Sequence, residues 1–210
     1  MEKLKKILII NNERDNEELG WIPQLEKALK SIEFAEHTIK HYSEITTEII
    51  EELKPQYIIL AGRIGHHWDL KEIMENYIPK LKVIKDLNVP ILGICAGLQL
   101  IAITFGGSIG KMIESDDDRL EEGYIEHFIK KEDTIFEGLN KSFYCRQLHR
   151  DEVKVLPDDF IILASSEMCK VQAIKHQTLP IYGFQFHPEW YNDEFSDGKR
   201  ILANFLKVTP

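Results

Sequence analysis

Short apolar runs alternate with amphipathic stretches through the first half of this chain, and no other feature narrows its fold as much. Ile7–Ile10, Tyr57–Leu60 and Ile91–Ile94 are brief, continuous and rich in β-branched residues. Segments of that kind read as strands buried on both faces. Between them lie patterns of helical spacing. Pro23 suits the first turn of a helix with Leu25, Ala28, Leu29 and Ile32 on one face. Ile45, Ile49, Ile50 and Leu53 form a second, stopped by Pro55. Leu70, Ile73, Met74, Tyr77, Ile78, Leu81 and Ile84 form a third, and Pro79 inside it predicts a kink or two helices. This order builds βαβ units: an α/β fold with a three-layer, mostly parallel, flavodoxin-like sheet and helices on both faces.

The second half changes character. Strand patterns at Glu122–Ile129, Phe160–Leu163, Val171–Ile174 and Ile181–Phe186 follow one another with short turns, which predicts an antiparallel or mixed extension. A last helix carries Ile201, Leu202, Phe205 and Leu206 on one face, with Asp197 as its N-cap candidate. There is no repeat, linker or low-complexity tract, so residues 1–210 are expected to form a single domain. A formal net charge of −9 disfavours nucleic acid and anionic membrane surfaces as partners. No apolar run approaches the roughly 20 residues of a membrane span. Ile7–Ile10 is too short for a signal-peptide core. Three cysteines without a CxxC pair argue against a disulfide framework or zinc ribbon and for a cytoplasmic location.

The most informative segment runs from Pro90 to Gln99. Cys95 is flanked at two residues' distance by Gly93 and Gly97, follows a buried strand and precedes an apolar helix ending near Gly106 and Gly107. This is the small-x-nucleophile-x-small spacing of a strand-to-helix elbow. Such a turn is too tight for bulky flanks, and the helix N-terminus favours a thiolate there. The N–H of Ala96 is then an oxyanion donor. A structural core cysteine is the competing reading of a lone Gly-x-Cys-x-Gly.

A thiol nucleophile needs a base. The alternating segment Ile181–Phe186 ends at His187, Pro188 halts the strand, and Glu189 can turn back to hold one imidazole nitrogen. His66 and His67, beside Trp68 and Asp69, have no further ligands at metal-site spacing, so no metal and no cofactor are expected. His37, His41, His127 and His176 read as surface or strand residues, Cys145 and Cys169 as structural, and Asp116–Asp118 as a solvated loop.

GICAGLQL resembles the GxCxGxQ elbow of class I, triad-type glutamine amidotransferases, and QFHPE resembles the His-x-Glu end of that triad. Leu148-His-Arg-Asp-Glu-Val153 resembles the family's SHxDxV segment, and the likeness spans Ile7 to Leu206. The resemblance implies a glutaminase in which Cys95 attacks the side-chain amide of glutamine. His187, held by Glu189, protonates the leaving ammonia, and a thioester is then hydrolysed. It implies that Gln99 contacts substrate and that the backbone at Leu148 and His149 helps hold its α-amino and carboxylate groups. The family's second oxyanion loop, usually rich in Gly and Pro, here reads Leu60-Ala-Gly-Arg-Ile-Gly65. Gly62 and Arg63 are the donor candidates, and Arg63 stands where a glycine is common. Arg150 likewise replaces a common glycine.

The segments EGYIEHFIKKEDTIFEGL and HRDEV resemble the glutaminase half of a GMP synthetase. That implies ammonia delivery to a separate ATP-dependent synthetase subunit. A free-standing γ-glutamyl hydrolase and a non-catalytic regulatory homologue are the alternatives.

Overall fold

The computed structural model describes residues 5–32, 35–64, 68–112 and 121–210. Its parallel half begins with β1 (Lys5–Asn11), α1 (Ile22–Ile32), β2 (Ala35–His41), α2 (Thr47–Leu53) and β3 (Tyr57–Leu60). A helical stretch follows, made of α3 (Leu70–Glu72), a π-helical turn (Ile73–Tyr77), α4 (Ile78–Leu81) and a 3-10 turn (Lys82–Asp86). Pro79 explains the irregularity. It lacks an N–H and its ring collides with the carbonyl four residues back, and the wider π turn just before it relieves both. Next come β4 (Ile91–Ile94) and α5 (Ala96–Thr104).

The remaining strands are β5 (Ser108–Lys111), β6 (Glu121–Ile129), β7 (Ser142–His149), β8 (Asp151–Val155), β9 (Phe160–Ser165), β10 (Ala173–His176) and β11 (Ile181–Phe184), before α6 (Asp197–Phe205). Nine strands form one sheet in the order β2-β1-β3-β4-β11-β10-β9-β6-β7, and β5 pairs with β8 in a separate ribbon. The β2, β1, β3, β4 and β11 neighbours pair in parallel. From β11 through β10, β9, β6 and β7 every pairing is antiparallel. The α/β architecture and its antiparallel extension are thus as expected. The strands β2, β5, β7 and β8 have no counterpart in the sequence patterns. Asp197 is a correction: Ser196 occupies the N-cap position without a capping bond, and the Asp197 carboxylate accepts the backbone N–H of Tyr144 instead.

Strand periodicity divides the core in two. Ile7, Ile9, Tyr57, Ile59, Leu92 and Ile94 pack on one face with α1 and α6. Leu8, Ile10, Ile58, Leu60 and Ile91 pack on the other with Ile73, Tyr77, Leu81 and the apolar side of α5. Alternate residues therefore reach opposite layers, which is why these strands are apolar throughout. The C-terminal ends of β3, β4 and β11 lie side by side in this sandwich, where open α/β sheets carry their ligands. Among the described residues, no helix is long and apolar enough to cross a membrane.

Candidate active site

Cys95 is the residue immediately after β4, and α5 starts at Ala96. Its backbone lies at φ 50°, ψ −104°, a left-handed conformation that costs a non-glycine residue about 1–3 kcal/mol. Neighbouring structure enforces it. The Cys95 N–H donates to the Phe184 carbonyl at 2.7 Å, tying the elbow to β11. Both flanking glycines are sterically required. A Cβ on Gly93 would come within 2.5 Å of the Gly97 carbonyl carbon, and one on Gly97 within 2.2 Å of the Leu60 carbonyl oxygen. The Ala96 N–H opens the helix and so has no intrahelical acceptor. Thiol, helix dipole and a free N–H consequently meet at one point.

The β4–β11 register brings His187, the candidate base, there. Ile94 pairs with Phe184, so the chain three residues beyond Phe184 runs past the elbow. The His187 N–H donates to the Arg146 carbonyl at 2.8 Å, which fixes its backbone against β7. Its Nδ1 lies 2.7 Å from Glu189 Oε1, with both residues buried. The Glu189 backbone carbonyl accepts from Gln24 on α1 at 3.0 Å, and Trp21 packs edge-on against the imidazole. His187 Nε2 is buried with no hydrogen-bond partner. Burial alone opposes a charged imidazole, but the Glu189 carboxylate and the Cys95 sulfur outweigh it and push the His187 pKa up to about 10. The ring is thus poised to hold a proton beside the sulfur.

The loop after β3 completes the near wall. A Cβ on Gly62 would sit 2.9 Å from His187 Cε1, so this glycine lies directly against the imidazole. The Ile64 N–H donates to Glu13 Oε1 at 2.6 Å, and burial raises the Glu13 pKa against that bond. The Arg63 side chain is folded inward with only 6% of it exposed. Its guanidinium stacks 4.2 Å over the Trp68 ring and reaches Tyr77 Oη at 3.5 Å. Gly65, His66, His67 and Asp116–Asp118 lie outside the described residues.

Leu148 and His149 form the far wall. The Leu148 carbonyl is 4.0 Å from Cys95 Sγ. The His149 side chain points away into a buried pair, with Nε2 2.8 Å from Glu121 Oε2. Glu121 also accepts from Ser166 and Gln172, and Gln172 accepts in turn from Gln147. His127 closes that chain at 0% exposure and is no surface residue. Burial pushes its pKa down to about 4. Gln99 is also turned inward. Its Nε2 donates to the Asp151 carbonyl at 2.8 Å and to Gln185 Oε1 at 3.1 Å, and its Oε1 accepts from Trp68 Nε1 at 2.6 Å.

Gln185, Trp68 and Glu13 are site residues that local sequence patterns do not reveal. Gln185 does leave a signal: a polar residue between Phe184 and Phe186 in an otherwise apolar, fully buried strand end. Cys145 and Cys169 are buried and free, with thiol pKa values raised by burial. Among the described residues, no group of three His, Cys, Asp or Glu side chains is arranged to hold a metal.

A family model, Glutamine amidotransferase class-I, matches residues 19–208, the span that contains the elbow and the buried His–Glu pair. The chain belongs to the class-I glutamine amidotransferases. It is similar to the glutamine-hydrolysing GMP synthase subunit of Pyrococcus abyssi, 42% identical over 163 residues, 77% of this chain and 79% of the relative. The corresponding GMP synthase subunit of Methanothermobacter thermautotrophicus is 35% identical over 202 residues, 96% of this chain and 97% of that one. A crystal structure from Thermoplasma acidophilum, provisionally assigned to the same GMP synthase subunit, has a TM-score of 0.78 at 30% identity and covers 99% of this chain and 94% of its own. A glutamine amidotransferase from Thermotoga maritima shares the fold at 18% identity, with a TM-score of 0.73, covering 98% and 97%. As a class-I amidotransferase, the chain is a glutamine-hydrolysing enzyme.

Proposed function

We propose that Cys95, His187 and Glu189 are the catalytic residues, and that the chain supplies ammonia to a separate ATP-dependent synthetase subunit of GMP synthetase type. The observation that carries the chemistry is the buried His187–Glu189 bond of 2.7 Å with the opposite imidazole nitrogen left unpartnered beside the elbow. Cys95 Sγ attacks the side-chain carbonyl carbon of glutamine. The carbonyl oxygen takes negative charge, received by the Ala96 N–H and by an N–H of the Gly62–Arg63 segment. On collapse the carbon–nitrogen bond breaks, His187 Nε2 gives its proton to the leaving nitrogen, and ammonia departs from a γ-glutamyl thioester. Water then attacks the thioester carbon and returns a proton to His187, and glutamate leaves with the thiol restored. Glu189 keeps the proton-bearing tautomer fixed throughout.

In this reading the Leu148–His149 backbone holds the substrate's α-amino and carboxylate groups, and Gln99 supports that end of the cleft. The acceptor assignment is supported by the likeness to the Pyrococcus and Methanothermobacter proteins, both of them GMP synthase subunits. The proposed compartment is the cytoplasm, where three free thiols remain reduced. The test is glutamate release by the unaltered chain and Cys95→Ala, alone and with a GMP synthetase subunit supplied with its acceptor and ATP. Turnover lost in a folded Cys95→Ala, and stimulation by the partner, are expected. Normal turnover by Cys95→Ala ends the catalytic assignment. Fast turnover indifferent to every synthetase ends the partner assignment.

A further inference from the structure

We propose that Gln185 is a catalytic residue that donates a hydrogen bond to the Cys95 sulfur, and that Trp68, acting through Gln99, fixes the direction of that bond. The inference rests on the reading of Cys95 as nucleophile and extends it. The Gln185 amide lies at 0% exposure with Nε2 3.6 Å from Cys95 Sγ. An amide can present either its oxygen or its nitrogen, and the two have opposite effects on a thiolate. The order of bonds behind Gln185 decides which. An indole N–H only donates, so Trp68 Nε1 requires oxygen at Gln99 Oε1, 2.6 Å away. That turns Gln99 Nε2 toward the Asp151 carbonyl, which only accepts, at 2.8 Å. The second Nε2 hydrogen then points at Gln185 across 3.1 Å and requires oxygen there. Nitrogen is left for the sulfur. Two independent one-way partners, an indole and a backbone carbonyl, thus fix both amides.

The relay begins at a defined place. Trp68 carries the Arg63 guanidinium on its ring, its backbone N–H donates to Asp151 Oδ2 at 3.3 Å, and it packs edge-on to Tyr77. Trp68 is therefore a positioning residue: it touches neither the sulfur nor the base.

The test is the pH profile of Cys95 alkylation by iodoacetamide in the full chain, which needs neither glutamine nor a partner. Background from Cys145 and Cys169 is measured in Cys95→Ala. The charged groups around the relay are His187 with Glu189 from the end of β11, Asp151 on β8, His149 with Glu121 behind it, and Arg63 with Glu72 beyond Trp68. Gln185→Met and Trp68→Phe leave all of them in place. A lost hydrogen bond to a charged acceptor should move the Gln185→Met profile upward by about one pH unit. Trp68→Phe keeps the ring but leaves the Gln99 amide oriented by the Asp151 carbonyl alone, and should move the profile the same way by less. A purely structural role predicts slower alkylation or lower stability with an unmoved profile. An unmoved profile in folded Gln185→Met overturns the proposal. If Gln185→Met does not fold, Gln185→Ala takes its place, and an unmoved profile in the folded Gln185→Ala does so. A Cys95 that resists iodoacetamide at every pH in the folded, unaltered chain overturns the nucleophile reading itself.

Discussion

Gly62→Ala tests the geometry of the site with a single methyl group. The added carbon would stand 2.9 Å from His187 Cε1, 3.3 Å from Trp21 Cδ1 and 3.5 Å from His187 Nδ1. Carbon atoms pack best at about 3.5–4.0 Å, so the imidazole must retreat by roughly half an ångström to one ångström. Its freedom to do so is small. Nδ1 is tied to Glu189 at 2.7 Å, the backbone N–H to Arg146 at 2.8 Å, and Trp21 stands edge-on to the ring. A displacement of about 1 Å at a reacting group costs on the order of 10²-fold. The expectation is a kcat for glutamine hydrolysis lowered by about 10–100-fold. KM should change little, because the methyl faces the base and not the Leu148 wall. Stability should fall by about 1 kcal/mol, the low end for overpacking. Steady-state glutamate release and urea unfolding on the same preparation separate the two effects. A folded Gly62→Ala with unchanged kcat would refute the claim that this glycine exists to clear the base.

Three further outcomes are expected. Gly97→Ala puts its Cβ 2.2 Å from the Leu60 carbonyl oxygen, a backbone atom of β3 that cannot swing aside, and should destabilise the chain by about 3 kcal/mol or more in urea titrations. His187→Asn should cost on the order of 10²–10⁴-fold in turnover and Glu189→Gln less, because the imidazole moves the proton while the carboxylate orients it; the reverse order in glutamate release would mean the roles are exchanged. His187, with its pKa pushed from 6.5 to about 10, binds a proton in the folded state that the unfolded chain releases between those values. Its contribution to stability is therefore complete below about pH 6.5 and lost as pH rises through about 10. Urea midpoints across that range should fall with pH in the unaltered chain and fall less in Glu189→Gln.

The parallel half was legible because its strands are buried on both faces. Ile7–Ile10, Tyr57–Leu60 and Ile91–Ile94 carry no charged residue, and a continuous apolar run so short fits a doubly covered strand far better than an amphipathic helix. β2 was not legible for the opposite reason. It is the sheet edge, it reads AEHTIKH, and it contributes only part of its surface to the core. β7 shows a subtler failure. Its inward residues are Phe143, Cys145, Gln147 and His149. Half of them are polar because they join the buried network around Glu121, so the alternation does not look hydrophobic. The same physics divides the site. Cys95 and His187 were legible because an elbow and a strand-end His-Pro-Glu leave local spacings. The Trp68–Gln99–Gln185 relay joins three distant segments, so Gln99 is legible from the elbow motif but its link to Trp68 and Gln185 is not.

Arg63 illustrates how a family pattern resolves into separate physical requirements. A loop rich in glycine invites the idea that every glycine in it serves the same end. Here the two positions differ. At residue 62 the constraint is contact: any side chain meets His187, so only glycine fits without moving the base. At residue 63 the backbone is not in the left-handed region, where among the described residues the only non-glycines are Lys54 and Cys95. No conformational need for glycine exists there, and the question becomes where a side chain can go. The slot between Trp68, Tyr77 and Glu72 answers it, and an arginine fills that slot with a stacked guanidinium 4.0 Å from Glu72 Oε1. Glu72 is itself held by two bonds from Arg14, at 2.8 and 2.6 Å. A stacked, partly desolvated cation–π contact contributes roughly 1–2 kcal/mol, enough to hold a short loop in one arrangement. The substitution therefore exchanges a freely jointed residue for one anchored to the helical stretch beyond it. It leaves Gly62 against the His187 ring.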